Sequence, residues 1–96
     1  MIENGKYKGW ENNQIRQDLE SQGFEPQLIV EEPNDHLNAH KHPENHILVV
    51  VHGEMKLKID DGDEIMKPGD KITIKSNVSH AAYFGPQGCQ YFWIEY

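Results

Sequence analysis

The chain has 96 residues, 36% hydrophobic and 26% charged, which is the make-up of one globular domain and not of a disordered chain. Sixteen acidic against nine basic residues give a formal net charge of −7, which repels phosphate backbones and anionic lipid, so neither nucleic acid nor membrane is an expected partner. One cysteine, Cys89, excludes an intrachain disulfide and suits a cytosolic, cytoplasmic protein, and the longest apolar run, residues 47–51, is far short of the roughly 20 residues that cross a bilayer.

The first predicted element is a helix over residues 11–22. Ile15 and Leu19 stand four apart on one face, among polar residues of good helix propensity. Asn12 or Asn13 can cap its start, and Gly23 can take the left-handed conformation that ends it. The pattern then turns to strand. Residues 28–30 are short and β-rich, and Pro33, Asn34 and Asp35 signal a turn. Residues 37–42 read as a strand with His40 and His42 on one face, followed by a turn at Pro43, Glu44 and Asn45.

Residues 46–52 are nearly all apolar, as in a strand buried on both faces. Gly53 and Glu54 mark the next turn. Met55, Leu57 and Ile59 then alternate with Lys56, Lys58 and Asp60, giving a half-buried strand. Asp61 and Gly62 open a hairpin, Pro68, Gly69 and Asp70 form a tight turn, and Ile72 and Ile74 alternate with polar neighbours. Residues 81–84 and 90–96 are the last strands, separated by residues 85–88. About eight short strands at regular spacing after one helix argue for an all-β sandwich or barrel. The last strand is apolar on both faces, so its outer face needs cover from the helix or from a second subunit. That face and the small size favour a homodimer.

The chain has six histidines, five of them within residues 36–52, with His80 alone. Two imidazoles at i and i+2 of a strand make half of a transition-metal site. The turn at residues 43–45 carries His46 to the neighbouring strand, where facing side chains lie about 5 Å apart at Cβ. His80 has to arrive from a distant strand.

This spelling resembles the first motif of the cupin superfamily, G-x5-H-x-H-x3-E-x6-G. The chain reads Asn34-x5-His40-x-His42-x3-His46-x6-Gly53. The second motif, G-x5-P-x-G-x2-H-x3-N, resembles Gly69-x5-Lys75-x-Asn77-x2-His80-x3-Phe84. Asn34 and Asn77 stand where the pattern has glycine, and asparagine is the best substitute where the backbone needs a positive φ. His46 replaces the pattern's glutamate and removes its one anionic ligand. The resemblance implies a single cupin domain over residues 1–96, with motif one at 34–53 and motif two at 69–84. Its fold would be a small cupin β-barrel (a double-stranded β-helix, or jelly roll) with one short N-terminal α-helix, as in a group of small stand-alone bacterial and archaeal cupins. It further implies a divalent transition metal on His40, His42, His46 and His80, as in the subclass spelled H-x-H-P-x-x-H. Imidazole suits Zn, Fe, Ni or Cu, and the four-histidine cupins add Mn.

His46 has a second reading, as a pocket wall that binds nothing. His52 reads as a strand-end histidine, and His36 lies upstream of the motif. Glu44 reads either as an exposed turn residue or as a carboxylate behind the ligands. The acidic run over residues 60–64 lacks calcium-loop spacing and reads as a solvated hairpin tip. Two functions lead, ahead of a third reading as a metal-free structural protein with a vestigial site. One is a metal centre with an open position for a small organic ligand or substrate, where the resemblance implies dioxygenase, isomerase or lyase chemistry. The other is a non-catalytic module that binds or senses a metal or small molecule, because no acid or base stands out besides the ligands.

Overall fold

The computed structural model describes residues 2–59 and 62–96. A first strand, β1 (Ile2–Glu3), precedes the helix α1 (Asn12–Ser21). The cap is Glu11, not Asn12 or Asn13, which are already helical. Glu11 is extended at ψ 157°, and its backbone N–H donates to Gln14 Oε1 at 2.8 Å. This is one arm of a capping box. The end is as expected: Gly23 takes φ +90°, and its N–H donates to the Glu20 carbonyl at 2.9 Å.

Six strands follow: β2 (Gln27–Glu31), β3 (His36–His40), β4 (His46–Ile59), β5 (Gly62–Met66), β6 (Lys71–Ile74) and β7 (His80–Glu95). All their pairings are antiparallel. The described residues thus hold seven strands, two of them very long, where sequence spacing suggested about eight short ones. The expected breaks at Gly53 and at residues 85–88 are not chain reversals between strands. They are irregularities inside β4 and β7, where the ladder shifts register between Val50 and His52 and again between Gly53 and Met55.

Those shifts create the barrel. Fourteen residues of β4, at about 3.3 Å each, would extend over roughly 46 Å. The longest Cα dimension of the whole molecule is 30 Å, so β4 must fold over at its middle. Its first half pairs with β6 and with residues 89–95 of β7; its second half pairs with β5 and with residues 80–84. β7 folds over with it. The result is one sheet ordered β1-β6-β4-β7-β2 facing another in which β5 and β3 flank the other halves of β4 and β7. Leu48, Val50, Met55, Leu57, Met66, Ile72, Ile74 and Phe84 fill the space between. Lys56 and Lys58 alternate outward, as the period-two pattern requires.

The outer face of β7 is covered from within the chain. Phe92 and Ile94 pack with Ile47 and Val49 of β4 against Ile15 and Leu19 of the helix and against Tyr7. Tyr7 donates its hydroxyl to Asp18 at 2.6 Å, and the Arg16 guanidinium lies 5.0 Å from the centre of the Phe92 ring. The helix therefore supplies the cover that the two-sided last strand demanded. No described helix is long and apolar enough to cross a membrane. Of the acidic run, Asp60 and Asp61 (and with Asp61 the hairpin opening) lie outside the described residues. Asp63 is exposed and pairs with Lys56 at 3.5 Å.

Cys89 is 1% exposed, and its burial, reinforced by Glu31 and Glu54, pushes the thiol up to about 12. The attacking species toward disulfide reagents is the thiolate. Native protein at pH 8 is therefore expected to leave a disulfide reagent unreacted over hours. One equivalent of thiol should appear once denaturant is added; rapid native labelling would contradict this burial.

Candidate metal centre

The doubled-over strands bring distant residues to one barrel mouth. β3 pairs with the start of β7 so that His40 faces His80 directly. The other end of β7 pairs with the start of β4, setting His46 opposite Glu95. Both ends of both long strands thus meet at the same mouth, and the His46 and His80 rings lie 6.3 Å apart.

His42 is not on the strand with His40, as the i, i+2 spacing suggested, because β3 ends at His40. It sits in the connection to β4, and the approach is made by hydrogen bonds instead. The His42 carbonyl accepts from Asn77 N–H at 2.7 Å, while Asn45 exchanges two backbone hydrogen bonds with Tyr96 at 2.8 and 2.9 Å. Asn45 Oδ1 also accepts from Ser76 N–H at 3.0 Å. Asn77 takes φ +62° and Asn34 +61°, the left-handed backbone for which asparagine best replaces glycine.

The imidazoles converge. His42 lies 4.7 Å from His40, 4.5 Å from His46 and 5.7 Å from His80, centre to centre, and His40 lies 4.5 Å from His80. Nδ1 of His40 meets the Asn38 carbonyl at 2.6 Å, and Nδ1 of His80 meets the Val78 carbonyl at 3.0 Å. A carbonyl only accepts, so in the neutral rings these nitrogens carry the hydrogen and each Nε2 keeps its lone pair. Such tethering of the far nitrogen is how metal-binding histidines are held. Burial holds the His80 imidazole below its ordinary value, outweighing the Val78 hydrogen bond, and the three neighbouring histidines push the same way. His80 is thereby biased toward the neutral form, the one in which an imidazole can ligate a metal.

Two groups of donors come close enough to share an ion, each with its atoms within 4.8 Å of one another: His40, His42 and His80, and His42, Glu44 and His46. His42 belongs to both. The donor set suits a borderline transition metal. His46 is buried, with Nε2 3.2 Å from Glu95 Oε2, and it packs 5.3 Å from Trp93. Sequence reasoning missed Glu95, whose only signal is its register opposite His46. Glu44, which the sequence left between an exposed turn residue and a carboxylate behind the ligands, is half-buried. His36 stacks on Tyr83 at 5.9 Å and His52 is exposed; neither joins the cluster.

Below the histidines lies a cavity of about 50 Å³, walled by apolar residues including Leu48, Met55 and Leu57 and by Tyr91 and Trp93. This is room for a few heavy atoms, since one water needs about 10–15 Å³ by the same measure. Tyr91 donates its hydroxyl to Glu31 at 2.7 Å; burial and that carboxylate raise the phenol far above its ordinary value. A roomier open groove of about 600 Å³ beside Trp10 contains none of the histidines.

The sequence pattern of the cupin domain matches residues 27–95. Among solved structures, the chain resembles an RmlC-like cupin from Shewanella frigidimarina at 19% identity and a TM-score of 0.66, covering 75% of this chain and 65% of that one. A conserved protein of unknown function from Streptococcus pyogenes gives 16% and 0.65, over 71% of this chain and 59% of the other. Oxalate decarboxylase of Bacillus subtilis, a protein with Mn(II) centres, gives 16% and 0.65, over 71% of this chain and 19% of that one. At these identities the likeness is one of fold, and the chain spans less than two thirds of each of these proteins. No curated protein sequence matches.

Proposed function

The chain belongs to the cupin family through residues 27–95, and from that premise we propose that it is a small single-domain cupin whose His40, His42, His46 and His80 together hold one divalent transition metal. The observation that carries this reading is the convergence of the four rings at one mouth, with the Nδ1 atoms of His40 and His80 tied back to carbonyls. The ion would supply Lewis acidity toward a small organic molecule at an open coordination position. The protein's own part is to keep the His80 imidazole neutral, to orient the rings, and to exclude bulk water with the apolar wall.

Oxygenase, isomerase and lyase chemistry all fit an ion so placed. Non-catalytic binding or sensing is the second reading, and it has an observation of its own. The described cavity lining holds no carboxylate, and its one phenol, Tyr91, already donates to Glu31. A homodimer and a cytoplasmic location complete the proposal. Leu28 and Val30, 40% and 65% exposed on the edge strand β2, support the first, and the free thiol of Cys89 supports the second.

The test is elemental analysis of tag-free protein, as isolated and after loading with Mn, Fe, Ni, Cu or Zn. Near one equivalent of a transition metal per chain is expected. Metal-dependent turnover of a small substrate would then favour the enzyme, and binding without turnover the sensor. Less than a tenth of an equivalent under all loadings would overturn the metal reading.

A further inference from the structure

We infer that Glu44 is a ligand of the metal centre and restores the anionic donor that the histidine at position 46 removes; this rests on the four-histidine reading above. The cupin pattern places a glutamate where this chain has His46. Four imidazoles alone would leave the full divalent charge uncompensated by any protein ligand. Two residues earlier stands Glu44, in the connection between β3 and β4. A carboxylate oxygen of Glu44 and ring nitrogens of His42 and His46 lie within 4.8 Å of one another.

Three features separate Glu44 from an ordinary solvated turn residue. It is half-buried. Its partly buried carboxylate has neither an ion pair nor a hydrogen bond among the described residues, whereas unpartnered carboxylates such as Glu20 and Glu25 stand exposed to water. The connection that carries it is pinned on two sides, by Asn77 on the His42 carbonyl and by Tyr96 and Ser76 on Asn45. A carboxylate held near two imidazoles with no cation beside it is a place prepared for one. Glu95 cannot take this role without giving up His46, because it already occupies Nε2 of that ring.

The ligand role has a consequence that a merely orienting role lacks. Carboxylate oxygen favours Mn(II) over softer ions, while imidazole serves Zn(II) well. Removing a carboxylate ligand should therefore weaken Mn(II) more than Zn(II). Removing an outer hydrogen-bond partner should weaken both alike and leave the coordination sphere unchanged.

The experiment compares wild type, Glu44→Gln and Glu20→Gln, the last making the same change in net charge on the exposed face of the helix. Calorimetric titration with Mn(II) and with Zn(II), and the visible absorption of the Co(II)-loaded proteins, are the readouts. For Glu44→Gln a loss of Mn(II) affinity of about 10-fold or more, a smaller loss for Zn(II), and an altered Co(II) spectrum are expected. Equal losses for both ions with an unchanged Co(II) spectrum would overturn the ligand role, as would behaviour matching Glu20→Gln. A wild type that binds no ion would sink the four-histidine reading itself, an outcome distinct from wild-type binding that Glu44→Gln leaves intact.

Discussion

His42→Ala is expected to strip the protein of its metal while leaving it folded. His42 is the one residue shared by both donor groups, and its ring lies between 4.5 and 5.7 Å from each of the other three. Losing an outer partner of a metal ligand costs about 10–100-fold in affinity, so losing the proposed ligand at the centre of the cluster should cost at least about 100-fold. Elemental analysis should then find less than a tenth of the wild-type metal. The fold should persist because His42 lies outside every strand, and the backbone hydrogen bond from Asn77 to its carbonyl survives the substitution. Circular dichroism of the metal-free proteins checks this point. His36→Ala, which removes a ring stacked on Tyr83 outside the cluster, is the control and should keep its metal. Equal metal in His42→Ala and wild type would move any centre away from these histidines.

The local part of the cluster, His40, His42 and His46, was legible from spacing, whereas His80 entered only through its place in a spelling that resembles the second cupin motif. Five of six histidines are local in sequence, and the turn between His42 and His46 is signalled by Pro43 and Asn45. The positive φ of Asn34 and Asn77 was legible for the same reason, since asparagine in place of glycine reports a backbone need. The helix and its buried Ile15 and Leu19 followed from their four-residue spacing.

What was not legible depends on partners far away in the chain. Glu95 meets His46 across 49 residues, and only the register between β7 and β4 decides that. His42 leaves the strand that local pattern assigned to it because the ladder to β7 slips between Leu37 and His40 and then ends. The length of β4 and β7 was hidden by glycine itself. A glycine with positive φ reads the same whether the chain reverses or merely bends, and only the pairing of Gly53 with Cys89 tells the two apart.

That bend sets the second large expectation. Gly53 sits at φ +74°, and a Cβ built there would run into the backbone carbonyl of Gly88 and lie 3.2 Å from Cys89 Cα. The left-handed backbone costs an L side chain about 1–2 kcal/mol. The carbonyl cannot swing aside as a side chain would, because Gly88 is backbone at φ +74° and so tightly placed that a Cβ built on it would meet the Glu31 carbonyl at 2.7 Å. Gly53→Ala should therefore cost about 3 kcal/mol or more. At about 4–8 °C per kcal/mol for a chain of this size, Tm should fall by roughly 12–24 °C. Gly9→Ala isolates the contact, since Gly9 has φ +84° and open space where the Cβ would go. It should lose only the backbone share. Equal losses would show that the crowding at Gly88 is relieved cheaply. The bend also holds the centre together: His46 lies on one half of β4, and His80 pairs with Ile59 on the other. A strand that cannot fold over at Gly53 carries those two imidazoles apart, so Gly53→Ala should lose metal affinity together with stability, whereas Gly9→Ala should lose stability alone.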